Sequence, residues 1–105
     1  MFGIHKTVDL QPEEFKAKLE EGQGIVIDCR TAGEVAEGCW PESVHADWLS
    51  GEFQNYVENQ DRDKSYFLYC RSGSRSNAAA GLMRQMGFEK VYNVGGLNDI
   101  APLLS

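Results

Sequence analysis

Apolar residues fall into short unbroken runs separated by stretches whose apolar positions recur three and four residues apart. The runs Ile25-Val26-Ile27, Tyr66-Phe67-Leu68-Tyr69 and Val91-Tyr92-Asn93-Val94 have strand length, and a weaker candidate spans Ile4 to Leu10. Continuous rather than alternating apolarity predicts strands covered on both faces, the habit of a parallel sheet. A further short strand is expected around His45.

The intervening stretches predict helices. Pro12 in a first turn, followed by Glu13 and Glu14 beside the positive helix end, opens a segment that buries Phe15 and Leu19 and closes near Gly22. Thr31-Ala32-Gly33-Glu34 has the Thr-x-x-Glu form of a capping box, so a short helix is expected directly after the strand ending at Asp28. Phe53, Tyr56 and Val57 supply another apolar face. From Ser76 to Met86, Ala79, Leu82, Met83 and Met86 share one side, and Gly87 stops the helix.

Strands alternating with helices predict an α/β domain with helices on both sheet faces. At 105 residues the chain suits a single domain over 1–105. In such sheets ligands gather at the carboxyl ends of the strands.

Charge narrows the partners. Sixteen acidic against ten basic side chains leave a formal charge of -6, which repels a phosphate backbone or an anionic bilayer, so neither nucleic acid nor membrane is expected as a partner. The start, MFGIHKTVDLQPEEF, has no basic segment followed by an apolar run, and a cytoplasmic location is the expectation. Three widely spaced cysteines, Cys29, Cys39 and Cys70, match neither a CxxC pair nor a zinc-ligand set. With His5 and His45 as the sole imidazoles, no metal site and no cofactor are expected.

Against this acidic background, Cys70-Arg71-Ser72-Gly73-Ser74-Arg75-Ser76 concentrates positive charge and small residues between an apolar strand and the best helix. Gly73 allows a tight turn, and amide N–H groups entering a helix can converge on an anion. Arg71 and Arg75 add charge that does not titrate, and Ser72, Ser74 and Ser76 add hydroxyl donors. The expected result is a Cys70 thiol shifted below its ordinary value of about 8.5 and nucleophilic near neutral pH. A free cysteine at a strand end is often only a small buried hydrophobe; that reading leaves the two arginines and three hydroxyls unexplained.

This loop resembles the active-site loop of the rhodanese family, the single-domain thiosulfate sulfurtransferases. Val26-Ile27-Asp28-Cys29-Arg30-Thr31 with Glu34 resembles the family's Asp-x-Arg-x-x-x-Glu element, Gly38-Cys39-Trp40-Pro41 stands where a Gly-His-Ile-Pro turn occurs, and Gly87-Phe88 with Val91 to Leu97 resembles the closing strand and glycine pair. The resemblance implies a central, mostly parallel five-stranded sheet flanked by helices. It also implies a double displacement in which Cys70 takes sulfane sulfur from thiosulfate or a persulfide, holds it as a persulfide, and passes it to a thiol or cyanide. Cys39 departs from the family's histidine, and Ile100 stands near a frequent tryptophan.

Two other functions fit the loop less well. A cysteine phosphatase or arsenate reductase places one residue more between cysteine and arginine than the four separating Cys70 from Arg75. A persulfide carrier or interaction module in a sulfur relay would keep the same cysteine. Asp28, Arg30 and Glu34 are assigned structural support, through hydrogen bonds and an ion pair with Glu34. Cys29 and Cys39 are assigned to packing, as are Trp40 and Trp48, and the Gly95-Gly96 pair is assigned to a positive-φ turn rather than a nucleotide site.

Overall fold

The computed structural model describes residues 8–22 and 24–104. Its elements are α1 (Pro12–Leu19), β1 (Gly24–Asp28), α2 (Ala32–Ala36), β2 (Val44–His45), α3 (Glu52–Val57), β3 (Ser65–Cys70), α4 (Ser74–Gln85), β4 (Val91–Gly96) and α5 (Leu97–Ile100), closed by a 3-10 turn at Ala101–Leu104. The strands form one parallel sheet in the order β2-β1-β3-β4.

Alternation along the strands builds a core on each face. Tyr66, Leu68 and Cys70 of β3 join Ile27 and Cys29 in a cluster completed by Phe53 and Val57 of α3 and Ala79, Ala80 and Met83 of α4. Phe67 and Tyr69, one residue out of step, join Val26, Phe15 of α1, Trp40, Val94 and Ile100 on the opposite face. Phe15 meets Trp40 and Phe67 edge-on at 5.1 and 5.3 Å between ring centroids. Strands covered on both sides explain why β1 and β3 carry continuous apolar runs.

Four strands lie among the described residues, where five were expected. The candidate at Ile4–Leu10 lies partly outside those residues, and Val8–Leu10 within them do not form a strand. Asp9 instead grips β4 at one point: its N–H donates to the Asn93 carbonyl at 2.8 Å, and its Oδ2 accepts from the Asn93 N–H at 2.8 Å. A carboxylate therefore supplies one of the bonds a ladder would have made.

Two further details position the functional edge. Pairing of β3 with β4 slips between Leu68 and Tyr69, so that Leu68 faces Asn93 but Tyr69 faces Gly95, and Val94 is the extra residue of a bulge. Helix α4 begins at Ser74, two residues before the expected start, because Gly73 takes the N-cap in the left-handed region at φ 99°. That leaves the Ser76 hydroxyl available for other partners.

Candidate active site

Cys70 is the last residue of β3, and its side chain is fully buried. Its Sγ accepts hydrogen bonds from the Gly73 N–H at 3.1 Å, the Ser76 N–H at 3.4 Å and the Ser76 hydroxyl at 3.4 Å. Burial pushes this thiol up, yet the Ser76 hydroxyl and the amides of Ser76, Ser72 and Gly73 together outweigh it, and the net shift is downward. Donors aimed at the sulfur stabilise its charged form more than the apolar surroundings penalise it. The sulfur thus sits at the amino end of α4 in a setting of hydrogen-bond donors that favours its anionic form.

Backbone contacts and one buried amide keep the loop in this shape. Positive φ at Gly73 turns its N–H toward Cys70. A Cβ at Gly96 would collide with the Arg71 carbonyl, so absence of a side chain lets the β4–α5 junction pack directly on the loop. Asn93 is fully buried and spans the gap: its Oδ1 accepts from the Gly95 N–H at 3.1 Å and, at 2.7 Å, shares with Cys70 Sγ the single proton of the Ser76 hydroxyl, and its Nδ2 donates to the Gly73 carbonyl at 3.0 Å. Asn93 was missed in the sequence, where it looks like an interruption in an apolar run. A polar residue inside a strand buried on both faces is the signal that could have found it.

The remaining loop residues divide into two groups. Arg71, Ser72 and Ser74 are exposed beside the cysteine. Arg75 is partly buried, and its guanidinium forms a two-pronged pair with Glu34, Nη1–Oε1 at 2.8 Å and Nη2–Oε2 at 2.9 Å. This pair, with the Thr31 N–H as a second donor, holds the Glu34 carboxyl down at about 2. It ties the first turn of α4 to the first turn of α2.

Glu34 also closes the expected capping box: its Oε1 accepts from the Thr31 N–H at 3.0 Å, while Thr31 Oγ1 accepts from the Glu34 N–H at 3.4 Å. The ion pair expected among the three supporting residues is divided differently. Arg30 pairs with Asp28, Nη2–Oδ2 at 2.8 Å, and not with Glu34, whose cation is Arg75. Asp28 further accepts from the Arg30 N–H at 2.9 Å and from the Tyr69 hydroxyl at 2.7 Å, and Arg30 donates to the Gly38 carbonyl at 2.6 Å. Burial pushes the Tyr69 hydroxyl up to about 12, so it remains a donor across the working pH range.

Elsewhere, Cys29 is buried, and burial together with the nearby Cys70 and Asp28 charges raises its thiol well above the ordinary value. Cys39 is exposed, Trp40 is buried against Phe15, and Trp48 packs on Phe53. A ring nitrogen of His45 lies 2.7 Å from the Arg30 carbonyl. Among the described residues, no group of three or more His, Cys, Asp or Glu side chains could hold a metal ion, and no helix is long and apolar enough to cross a membrane.

A cleft of about 230 Å³ opens at this edge of the sheet. Arg30, Glu34, Glu37 and Gly38 line it from the segment after β1, and Arg71, Leu97 and Asn98 from the residues after β3 and β4. Cys70 does not line it, although Arg71 adjoins Cys70 in the chain and Leu97 follows Gly96, its partner in the sheet.

Comparison with known proteins agrees with this architecture. A family model described as the rhodanese-like domain matches residues 11–101. The Bacillus subtilis (strain 168) protein named "Putative sulfurtransferase YtwF" is 34% identical over 90 residues, covering 85% of each chain. The tRNA uridine(34) hydroxylase of Sodalis glossinidius is 31% identical over 97 residues, which make up 88% of this chain but 28% of that protein. The Bacillus subtilis protein named "Putative sulfur carrier protein YrkF" is 30% identical over 93 residues, covering 87% of this chain and 49% of its own length. A crystal structure of a rhodanese-related protein from Thermoplasma volcanium superposes with a TM-score of 0.76 over 90% of each chain at 23% identity, a likeness of fold. With the motifs in order and the family model spanning nearly all of its length, the chain belongs to the rhodanese-like domain family.

Proposed function

We propose that the protein is a sulfurtransferase working through a persulfide on Cys70. The observation that carries this reading is a fully buried Sγ accepting hydrogen bonds from two amides and a hydroxyl. In the first step the thiolate attacks the outer sulfur of thiosulfate or of a small persulfide. The donor's S–S bond breaks, and sulfite, or the donor thiolate, departs with the bonding pair. In the second step an acceptor thiolate or cyanide attacks the outer sulfur of the Cys70 persulfide, and Cys70 leaves as a thiolate. Neither step calls for a general base, because a lowered thiol carries a larger thiolate fraction and is also the better leaving group.

Arg71, Ser72 and Ser74 supply charge and donors for an anionic donor at the mouth of the loop. Gly73 and Ser76 hold the sulfur, while Arg75 fixes the helix that presents it. Asp28, Arg30 and Glu34 brace the neighbouring segment. Likeness to one relative named as a sulfur carrier supports a second reading, in which the same persulfide is loaded by a partner protein in a sulfur relay. A loop one residue shorter than a phosphatase's disfavours a bound tetrahedral oxyanion.

The test is to mix the purified protein with thiosulfate, then with cyanide, and to follow sulfite, thiocyanate and intact mass. Expected are one added sulfur atom per chain, sulfite release, and loss of both in Cys70→Ser. Mass gain only when a persulfide-bearing protein is supplied favours the relay; no gain from any sulfane donor overturns both.

A further inference from the structure

We infer that the cleft beside Cys70 selects a small zwitterionic aminothiol as the sulfur acceptor, its carboxylate held at Arg71 and its ammonium at Glu37. The inference rests on the sulfurtransferase reading and names the acceptor's chemical class.

Four charged side chains line the cleft, and two are already neutralised. Arg30 is committed to Asp28 and the Gly38 carbonyl, and Glu34 is committed to Arg75. Arg71 and Glu37 remain: both are exposed, and neither side chain has a hydrogen-bond or ion-pair partner among the described residues. The cleft therefore offers one free cation and one free anion, together with the Asn98 amide.

An inorganic dianion such as thiosulfate uses the Arg71 charge but is repelled by Glu37. A molecule bearing a carboxylate and an ammonium group on the carbon next to its thiol arm satisfies both. At about 230 Å³ the volume suits an amino-acid thiol and is small for a peptide of several residues. The cleft lies where β1, β3 and β4 end, and Arg71 in its lining is the residue that follows Cys70 in the chain, so a molecule seated there lies at the same end of the sheet as the cysteine loop.

The transfer balances without a further reagent. The acceptor thiolate bonds to the outer sulfur of Cys70–S–SH, the S–S bond to Cys70 breaks, and Cys70 departs as a thiolate. The acceptor becomes a persulfide that keeps the proton of the outer sulfur.

Protein loaded with thiosulfate and freed of excess donor is mixed with cysteine, N-acetylcysteine or cysteamine, and loss of the added sulfur is followed by mass. Rates are compared per concentration of thiolate. Cysteine is expected to react about three- to fivefold faster than either analogue, with the advantage fading at high salt, as suits exposed charge pairs. Glu37→Gln is expected to bring the cysteine rate down to that of N-acetylcysteine, and Arg71→Gln to bring it down to that of cysteamine. Equal rates for the three thiols in the unaltered protein, or rate ratios unchanged by both substitutions, overturn the inference. Such a result with normal loading leaves the sulfurtransferase reading standing, whereas failure to load removes that reading first.

Discussion

Cys70 ends β3 and Cys29 directly follows the neighbouring parallel strand β1, one residue beyond the Asp28–Tyr69 pair in each case, and both are fully buried in the same apolar cluster. Their thiols nevertheless shift in opposite directions. After β1, the first free amide, that of Arg30, is spent on the Asp28 carboxylate, and Cys29 is left with apolar neighbours and negative charge. After β3, a positive-φ glycine turns the chain so that the amides of Gly73 and Ser76 face the sulfur. Burial alone makes a thiol inert; the destination of the next few N–H groups decides whether it becomes a nucleophile.

The contrast can be broken most completely at Cys70, the proposed nucleophile. Cys70→Ser should take sulfite release to background, while Cys29→Ala should change turnover with thiosulfate by less than about twofold, since its thiol stays protonated. Comparable losses from both substitutions would show that the two thiols work together.

Asn93→Ala should have the next largest effect, because it removes three buried hydrogen bonds, to the Gly73 carbonyl, the Ser76 hydroxyl and the Gly95 N–H. A loss of about 2 kcal/mol in denaturant unfolding is expected, accompanied by slower alkylation of Cys70. Ser76→Ala should act more locally. Removing one donor at 3.4 Å should slow alkylation of Cys70 by iodoacetamide about fivefold near pH 7 and move its pH midpoint upward. In the unaltered protein that midpoint should lie below the ordinary thiol value, with Cys29 unreactive over the same range.

Arg75→Ala should give the smallest effect on stability, below about 1 kcal/mol for a partly exposed pair. The sign follows from Glu34, whose carboxyl is lowered from 4.5 to about 2. The pair stabilises the fold above the ordinary carboxyl value, and that stability is lost as pH falls toward 2. The difference in Tm between the two proteins should therefore shrink through this window. A constant difference would assign the effect to packing of the Arg75 stem instead.

Legibility in the sequence followed chain distance. The Cys70 cradle was readable because all its donors lie within six residues of the sulfur, and the Thr31–Glu34 box because its partners are three apart. Glu34 meeting Arg75 spans 41 positions, and that partnership depends on how α2 and α4 meet above the sheet. Asn93 was invisible for the same reason, its partners on the cysteine loop lying 17 and 20 positions away. The Arg30–Asp28 fork is the exception, a pair only two residues apart that takes the place of an expected Arg30–Glu34 pair. The start of α4 was misplaced because a glycine N-cap carries no side-chain signature.

The glycine at position 96 sets a limit on how this site can diversify. Its contact with the Arg71 carbonyl is made by main chain on both sides, so there is no side chain to trim when more room is needed. Enlarging the ring by one residue, as an oxyanion-hydrolysing descendant would require, means relocating the junction between β4 and α5 at the same time. Single substitutions can retune the charge at the entrance, but the size of the chamber is inherited with the fold.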